Sequence, residues 1–337
     1  MFISLIIPVY NAEKYLVQCL ESAVHQSFSQ YEILLVDDAS TDDSGKICME
    51  YQKQYPFVRL IQHTQNQGVM QSWQDAVCEA RGDYIAFLDS DDWVSLDYLK
   101  NMAAASADGA DIVCCNHNRV YGEMLDFQKE QIAAGCYDRN QIREIIFPVL
   151  LNNGTYLGRS ITPHRWGKLF RKELLLNNLK YCDSRVSYGD DVNIFFPAIQ
   201  DCRMLTILED QEGLYFYRQN DSSIVHSYKK EMYQQISCLR RQLLVAMQEK
   251  AVYDFKDQVD RDFWCLFLEY VKNEAQLGTH WATSKVVLHN FRISMESVPF
   301  VPLFRKKSDY LLLRCLRSNS RVLVYGWLNL YTTLRKV

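Results

Sequence analysis

The sequence predicts an α/β fold: a mostly parallel sheet flanked by helices, followed by a helical C-terminal extension. Three observations carry this. Over the first hundred residues, apolar stretches of five to seven residues alternate with helical ones. The apolar stretches are hydrophobic on both faces, as strands covered by helices on two sides must be. From about Lys229 onward, apolar residues recur at helical spacing instead.

The elements follow in order. "ISLIIPV" (3–9) is a strand and a helix runs from about Ala12 to His25; "YEILLV" (31–36) is the second strand, with a helix from about Asp43 to Tyr55. "VRLIQ" (58–62) and a helix from about Val69 to Ala80 make the third pair, and "YIAFL" (84–88) is the fourth strand. Residues 96–225 mix helices with short strands such as "DIVCCNHNRV" (111–120) and "GLYFYR" (213–218), with no Pro/Gly/Ser linker between them. They are expected to complete one domain, 1–225, with halves 1–95 and 96–225. Residues 226–337 form the extension. Beyond residue 300, Arg305, Lys306, Lys307, Arg314, Arg317, Arg321, Arg335 and Lys336 face Asp309 alone, among apolar residues at helical intervals. Such a basic amphipathic end either attaches to an anionic membrane surface or packs on the protein with its basic face solvated.

Composition narrows the classes. A formal charge of −4 offers no basic surface for nucleic acid, and 48% hydrophobic residues exclude wholesale disorder. The 11 cysteines are scattered apart from the neighbours Cys114 and Cys115, with no CxxC pair, so buried thiols in a reducing cytosol are expected. "MFISLIIPVYNAEKYL" has no basic leader and no small-residue cleavage site, and no run of about eighteen apolar residues occurs. A cytoplasmic protein is expected.

In open α/β sheets ligands bind beyond the carboxyl ends of the strands. The residues there are Pro8-Val9-Tyr10-Asn11, then Asp37 to Asp42, then Asp89-Ser90-Asp91-Asp92 within "RGDYIAFLDSDDWV" (81–94). Crowded carboxylates repel one another unless a cation joins them. Mg²⁺ or Mn²⁺ does so with oxygen ligands and leaves positions for substrate phosphates. A turn capping a helix is the alternative, because Asp and Ser serve both. In "VDDASTDDS" (36–44), capping accounts for Thr41 to Ser44, while Asp37 and Asp38 sit where an acceptor could read the donor edge of a nucleotide base. Neither GxGxxG nor GxxxxGK[ST] occurs, so bound phosphate would be held through metal rather than a backbone cradle.

These pieces in this order resemble the family 2 glycosyltransferases, which have the GT-A (Rossmann-like) fold. The resemblance is carried by "SLIIPVYNAEKYLVQCLESAVHQSFSQYEILLVDDASTDDS" (4–44), "NQGVMQSWQDAV" (66–77) and "GDYIAFLDSDDWV" (82–94). It continues more loosely through "HRWGKLFRKELL" (164–175), "YGDDVNIFF" (188–196) and "YFYRQNDSSI" (215–224), as in members that assemble bacterial surface polysaccharides. It implies transfer of a sugar, with inversion, from a nucleotide diphosphate sugar to a glycan or lipid-linked acceptor. UDP is favoured over GDP, and Mn²⁺ or Mg²⁺ is the cofactor. By position, Pro8 and Tyr10 would line the base pocket and Asp38 would accept from the base. Asp89 and Asp91 would end the Asp-x-Asp motif, with Asp91 on the metal and Asp89 nearer the ribose or a metal-bound water. Asp191 would be the catalytic base, with Asp190 beside it raising the pKa of the pair; a cap for the helix "DVNIFFPAI" is the alternative. His164 and Trp166 resemble an acceptor-side loop where an aromatic ring stacks on a sugar, the alternative being a packed core Trp.

The chain departs from the family in places. Ala39 stands where many relatives have Gly, Asp190 where they have Glu, and no Arg lies near Trp73 to meet the diphosphate. Arg81, Arg165, Lys168 and Arg218 are the candidate replacements. That gap leaves room for a non-catalytic sugar-nucleotide or glycan-binding relative. A sugar-phosphate nucleotidylyltransferase would want glycine and a basic residue after the first strand, and "IPVYNAEKYL" has neither glycine nor Arg there. His226 either reaches the metal or diphosphate or faces solvent, and His25, His63, His117, His280 and His289 are expected to be structural.

Overall fold

The computed structural model describes residues 1–219, 228–301 and 303–335, so His226 lies outside the described residues. Two compact units divide the chain: Met1–Ile146 with Ile161–Asp221, and Phe147–Ser160 with Ser222–Val337.

The first unit is built around strands whose residues are buried on both faces. Strand β1 (Ile3–Val9) and β2 (Tyr31–Asp37) are buried at all seven positions. Helices α1 (Glu13–Val24), α2 (Ser44–Gln54) and α3 (Val69–Glu79) follow β1, β2 and β3 (Val58–Gln62), and β4 (Tyr84–Phe87) follows α3. Each lies within a residue or two of its sequence expectation. Next come β5 (Trp93–Val94), α4 (Tyr98–Ala105), β6 (Ile112–Cys114), β7 (His117–Tyr121), β8 (Met124–Gln128), β9 (Gly135–Asp138) and the single turn α5 (Arg139–Gln141). After the excursion into the second unit the chain returns as β10 (Lys168–Arg171), α6 (Lys172–Asn178), α7 (Asp190–Asp201), β11 (Met204–Ile207) and β12 (Tyr215–Arg218).

The strands form an eight-stranded sheet in the order β3-β2-β1-β4-β10-β6-β11-β9 and a smaller one in the order β5-β12-β7-β8. In the large sheet β3, β2, β1 and β4 are parallel, β6 and β11 are parallel to each other, and β10 and β9 run antiparallel to their neighbours. The expected mostly parallel α/β sheet is present, with two reversed strands. One polar cluster sits inside it: the Ser4 hydroxyl donates to buried Glu32 at 2.7 Å, and Arg59 pairs with the same carboxylate at 3.1 Å. That satisfies groups whose burial would otherwise cost several kcal/mol, roughly, if left unpaired.

The single strand expected over 111–120 is two strands in two sheets. Between them the Asn116 N–H and side-chain amide donate to Asp210, at 3.0 and 2.8 Å. These bonds turn the chain out of one ladder and into the other. A period-2 pattern continues through such a break, so the sequence does not mark it.

The second unit comprises α8 (Met232–Lys250), α9 (Lys256–Glu274), α10 (His280–Ser297), α11 (Lys307–Arg317) and α12 (Arg321–Arg335), with Phe147–Ser160 threaded into it. The partition differs from a single boundary at 225 because Gln258 of α9 captures that segment. Its side chain accepts from the N–H groups of Leu151 and Asn152 and donates to the Phe147 carbonyl at 2.7 Å. Arg159 adds an ion pair to buried Asp262. Within the extension Leu312, Leu316, Val324, Trp327 and Leu328 are buried, and Lys272 pairs with buried Asp309 at 3.0 Å. None of the described helices is long and apolar enough to cross a membrane.

Candidate active site

Parallel pairing brings the carboxyl ends of β1, β2 and β4 to one rim. The Asp38 N–H donates to the Val9 carbonyl at 2.9 Å, and the Leu88 N–H to the Ile6 carbonyl at 3.0 Å. The loops after β1 and β2 are then sewn together by side chains. Ser44 Oγ accepts from the Ala12 N–H at 2.8 Å, Asn11 Oδ1 from the Thr41 N–H at 2.8 Å, and Asp42 from the N–H groups of both Glu13 and Ser44. Of these side chains only Asp42 serves α2, accepting from its first N–H, while the α2 N-cap Asp43 makes no side-chain cap bond among the described residues; Asp42 and Ser44 otherwise reach across to the start of α1. Ala39 is held at φ 59°, the left-handed conformation that glycine adopts without penalty.

Pro8 is buried in β1, while Tyr10 is exposed just past it. Asp38 is buried and already accepts three hydrogen bonds: Nδ1–H of His63 at 2.7 Å and the N–H groups of Gln67 and Gly68, both at 2.8 Å. One of the four acceptor positions of its carboxylate is left. His63 also lies 3.1 Å from Asp75, so its expected structural role is that of a clasp between the β2 rim and α3.

The stretch from Asp89 to Asp92 does not cap a helix, since β5 intervenes and α4 begins only at Tyr98. Its three acids have different surroundings. Asp92 is fully buried, accepting from the Tyr215 hydroxyl at 2.7 Å and the Arg218 N–H at 2.8 Å. The same Tyr215 oxygen accepts from the Asp89 N–H at 3.1 Å, so one hydroxyl pins both ends of the motif. Asp91 forms no ion pair and no side-chain hydrogen bond among the described residues, but burial pushes its carboxyl above the usual range. Asp89 pairs with Arg165 at 2.5 Å.

Arg165 joins what the sequence holds far apart. Its guanidinium also reaches Asp190 at 3.0 Å and Asp191 at 3.1 Å, and its backbone N–H donates to Asp191 at 3.0 Å. Both acids open α7, whose preceding Gly189 is left-handed at φ 87°. Burial, with the charge of Asp191 next to it and against the pull of Arg165, raises the Asp190 carboxyl to about 7. Asp89 rises to about 6 for the same first reason, with Arg165 opposing and Asp91 and Asp191 adding repulsion. One guanidinium is thus shared by three carboxylates.

Two of the four candidate cations come to this rim, Arg165 and Arg218. The Arg218 guanidinium lies 4.6 Å from the ring centres of both Tyr15 and Trp93, donates to the Asp91 carbonyl at 2.7 Å and to Gln18 at 2.6 Å. Lys168 is buried against Phe195 and 3.8 Å from Glu130, and Arg81 is exposed on the loop before β4. Trp166 takes the packed alternative to the acceptor-side expectation. It is 4% exposed and stacks with His164, Tyr215 and Tyr217 at 4.1, 4.5 and 5.2 Å. His164 is half-buried at the edge of that stack. The sequence reading missed Tyr215; its signal was only an aromatic in "YFYR", which marks a strand equally well.

The residues fit a hard divalent cation. Only carboxylate oxygens are on offer, Asp91 is not committed to another side chain, and burial raises the carboxyls of both Asp89 and Asp91, a cost that a bound cation would relieve. No group of three or more His, Cys, Asp or Glu side chains forms a ready cage among the described residues. Mg²⁺-type sites built from one or two carboxylates and substrate phosphates need none.

The profile described as Glycosyl transferase family 2 matches residues 4–177. The chain belongs to that family. EpsH of Bacillus subtilis, which carries the name of a glycosyltransferase, is 32% identical over 234 residues, or 69% of this chain and 65% of that one. The family 2 chain therefore spans just under two thirds of that relative. Glycosyltransferase GlyG of Streptococcus pneumoniae is 29% identical over 59% of this chain and 80% of its own length. Among solved structures, Staphylococcus aureus TarS 1-349 in complex with UDP superposes with a TM-score of 0.64 at 20% identity, covering 99% of this chain and 92% of that one. That likeness establishes the GT-A fold.

Proposed function

We propose that the chain is an inverting glycosyltransferase that moves a sugar from a nucleotide diphosphate sugar, a UDP-sugar, to a hydroxyl of a glycan or lipid-linked acceptor in bacterial surface polysaccharide synthesis. The observation that carries this is the meeting of Asp89, two residues before Asp91, with Asp190 and Asp191 on one rim, around Arg165. Donor-side and acceptor-side acids within reach of a single guanidinium suit a one-step displacement.

In that step Asp191 takes the proton of the acceptor hydroxyl as its oxygen bonds to the anomeric carbon. The bond from that carbon to the diphosphate oxygen breaks, and the diphosphate leaves with the electron pair. A single base on the acceptor side gives inversion. Asp91 would hold Mn²⁺ or Mg²⁺, with Asp89 toward the ribose or a metal-bound water, and the bound ion would stabilise charge on the leaving diphosphate. Pro8, Tyr10 and the remaining acceptor position of Asp38 would meet the base. Support for uridine comes from the resemblance and from TarS, whose structures of the same fold hold UDP and UDP-GlcNAc. Arg218, fixed between two rings beside Asp91, takes the place of the missing Arg near Trp73. His164 lies toward the acceptor, with Trp166 packed beneath it as support.

Calorimetric titration with UDP and with GDP, each with and without Mn²⁺, tests the donor site. UDP binding that requires Mn²⁺ and is lost in Asp91→Asn is expected. Asp191→Asn should bind like wild type yet lose transfer by about a hundredfold or more. Binding of neither nucleotide under any condition would refute the reading.

A further inference from the structure

The acid rim carries its own cation, and its placement has consequences for how the site is loaded. Arg165 is 6% exposed, and its Nη1 and Nη2 bond Asp89, Asp190 and Asp191 at 2.5 to 3.1 Å. Its Nε is buried without a partner among the described residues, a donor that no protein group meets. Three carboxylates share one fork, and two of them, Asp190 and Asp191, stand on the first turn of α7 while the third follows β4. Nothing else among the described side chains joins Asp89 to α7.

We propose that Arg165 is a positioning residue, a resident counter-cation that ties donor-side Asp89 to acceptor-side Asp190 and Asp191 and keeps the rim from loading a divalent cation alone. The inference rests on the donor-site reading above. Like charges repel strongly where water is excluded, so a bare divalent ion approaching Asp89 and Asp91 meets the guanidinium as a competitor. A nucleotide diphosphate brings negative charge with the ion and removes that penalty. The ion and the nucleotide therefore enter together, and Asp89 can leave Arg165 for the newcomer. The guanidinium then turns wholly to Asp190 and Asp191, which keeps the base aligned when the donor arrives.

The test is a titration of Mn²⁺, followed by its paramagnetic resonance signal, against the metal-free full chain with and without UDP. Wild type, Arg165→Gln and Arg165→Lys are compared, with folding checked by circular dichroism. Without nucleotide, Arg165→Gln should bind Mn²⁺ about tenfold more tightly than wild type, because the acids have lost their cation. Arg165→Lys keeps the charge and should stay within about threefold of wild type. A merely structural arginine would give weaker binding or none when replaced. Unchanged or weaker Mn²⁺ affinity in folded Arg165→Gln overturns the proposal.

Should Arg165→Gln fail to fold, wild type labelled with ¹⁵N-arginine gives a second measurement. The Arg165 Nε–H signal, assigned through Arg165→Lys, should move on adding Mg²⁺ and UDP together and stay in place with Mg²⁺ alone. A signal that ignores the pair, or that moves equally with Mg²⁺ alone, overturns the proposal. Wild type that binds no Mn²⁺ with UDP would instead refute the donor-site reading, leaving the comparison of Arg165→Gln with wild type intact.

Discussion

At Ala39 the chain spends conformational energy where the loop after β2 turns beneath the rim. An L-residue with a Cβ at φ 59° costs about 1 kcal/mol, and glycine does not carry that penalty. Glycine loses more entropy on folding, which offsets part of the gain. Ala39→Gly should therefore raise stability by roughly 0.5 kcal/mol, read as a small upward shift in thermal midpoint. The sequence pointed to this position through a departure from its relatives, but only the backbone angle explains the glycine.

Asp190 makes a prediction of opposite character. Its carboxyl titrates near 7 in the folded protein, chiefly through burial, whereas an Asp in an unfolded chain titrates near about 3.9. The folded state thus holds a proton that the unfolded chain has released over that range. The resulting stability is complete below about pH 4 and is lost as pH rises through about 7. Denaturant melts of the metal-free protein at a series of pH values should show this decline. Asp190→Asn should flatten it; an unaltered slope would assign the decline to other groups.

At the scale of elements, the aromatic stack over β12 decides which expected residues act and which support. Trp166 packs against Tyr215 and Tyr217 of β12, and the Tyr215 hydroxyl pins both Asp89 and Asp92. Removing the indole leaves a cavity beneath the acid motif. Trp166→Ala should cost about 3–5 kcal/mol in a denaturant melt. Loss of transfer with no loss of stability would return Trp166 to the acceptor side. Sequence periodicity showed the strands and helices here, yet it could not show that 111–120 splits between sheets, because side-chain alternation survives the break.

For the whole molecule, the extension presents a second apolar face. Val322, Leu323, Leu330 and Leu334 of α12 are exposed on a helix with no acidic residue, and Arg305, Lys306, Lys307, Arg314 and Arg317 are exposed nearby in sequence. Arg321 sits 4.0 Å over the Trp281 ring, itself exposed. Apolar and cationic groups together match an anionic bilayer surface. Flotation with phosphatidylglycerol vesicles should carry the full chain upward, and Val322→Asp with Leu323→Asp should abolish this. Equal flotation of the double variant would mean that the face does not bind lipid.

The sequence by itself determined the order of strands and helices, the rim on which ligands gather, and the acids at the strand ends. Local hydrophobic period and short motifs are properties of neighbouring residues, so they are legible without a fold. Only the tertiary structure decided what each acid does. Asp92 became a buried anchor, Asp38 a loop clasp with one acceptor position to spare, and Asp89 a partner of Arg165, 76 residues away. Charge, burial and hydrogen-bond partner are set by what the chain brings from a distance. Of the four cations the sequence offered as replacements for a missing arginine, two reached the site because β10 and β12 place their neighbours there, a pairing no local pattern encodes.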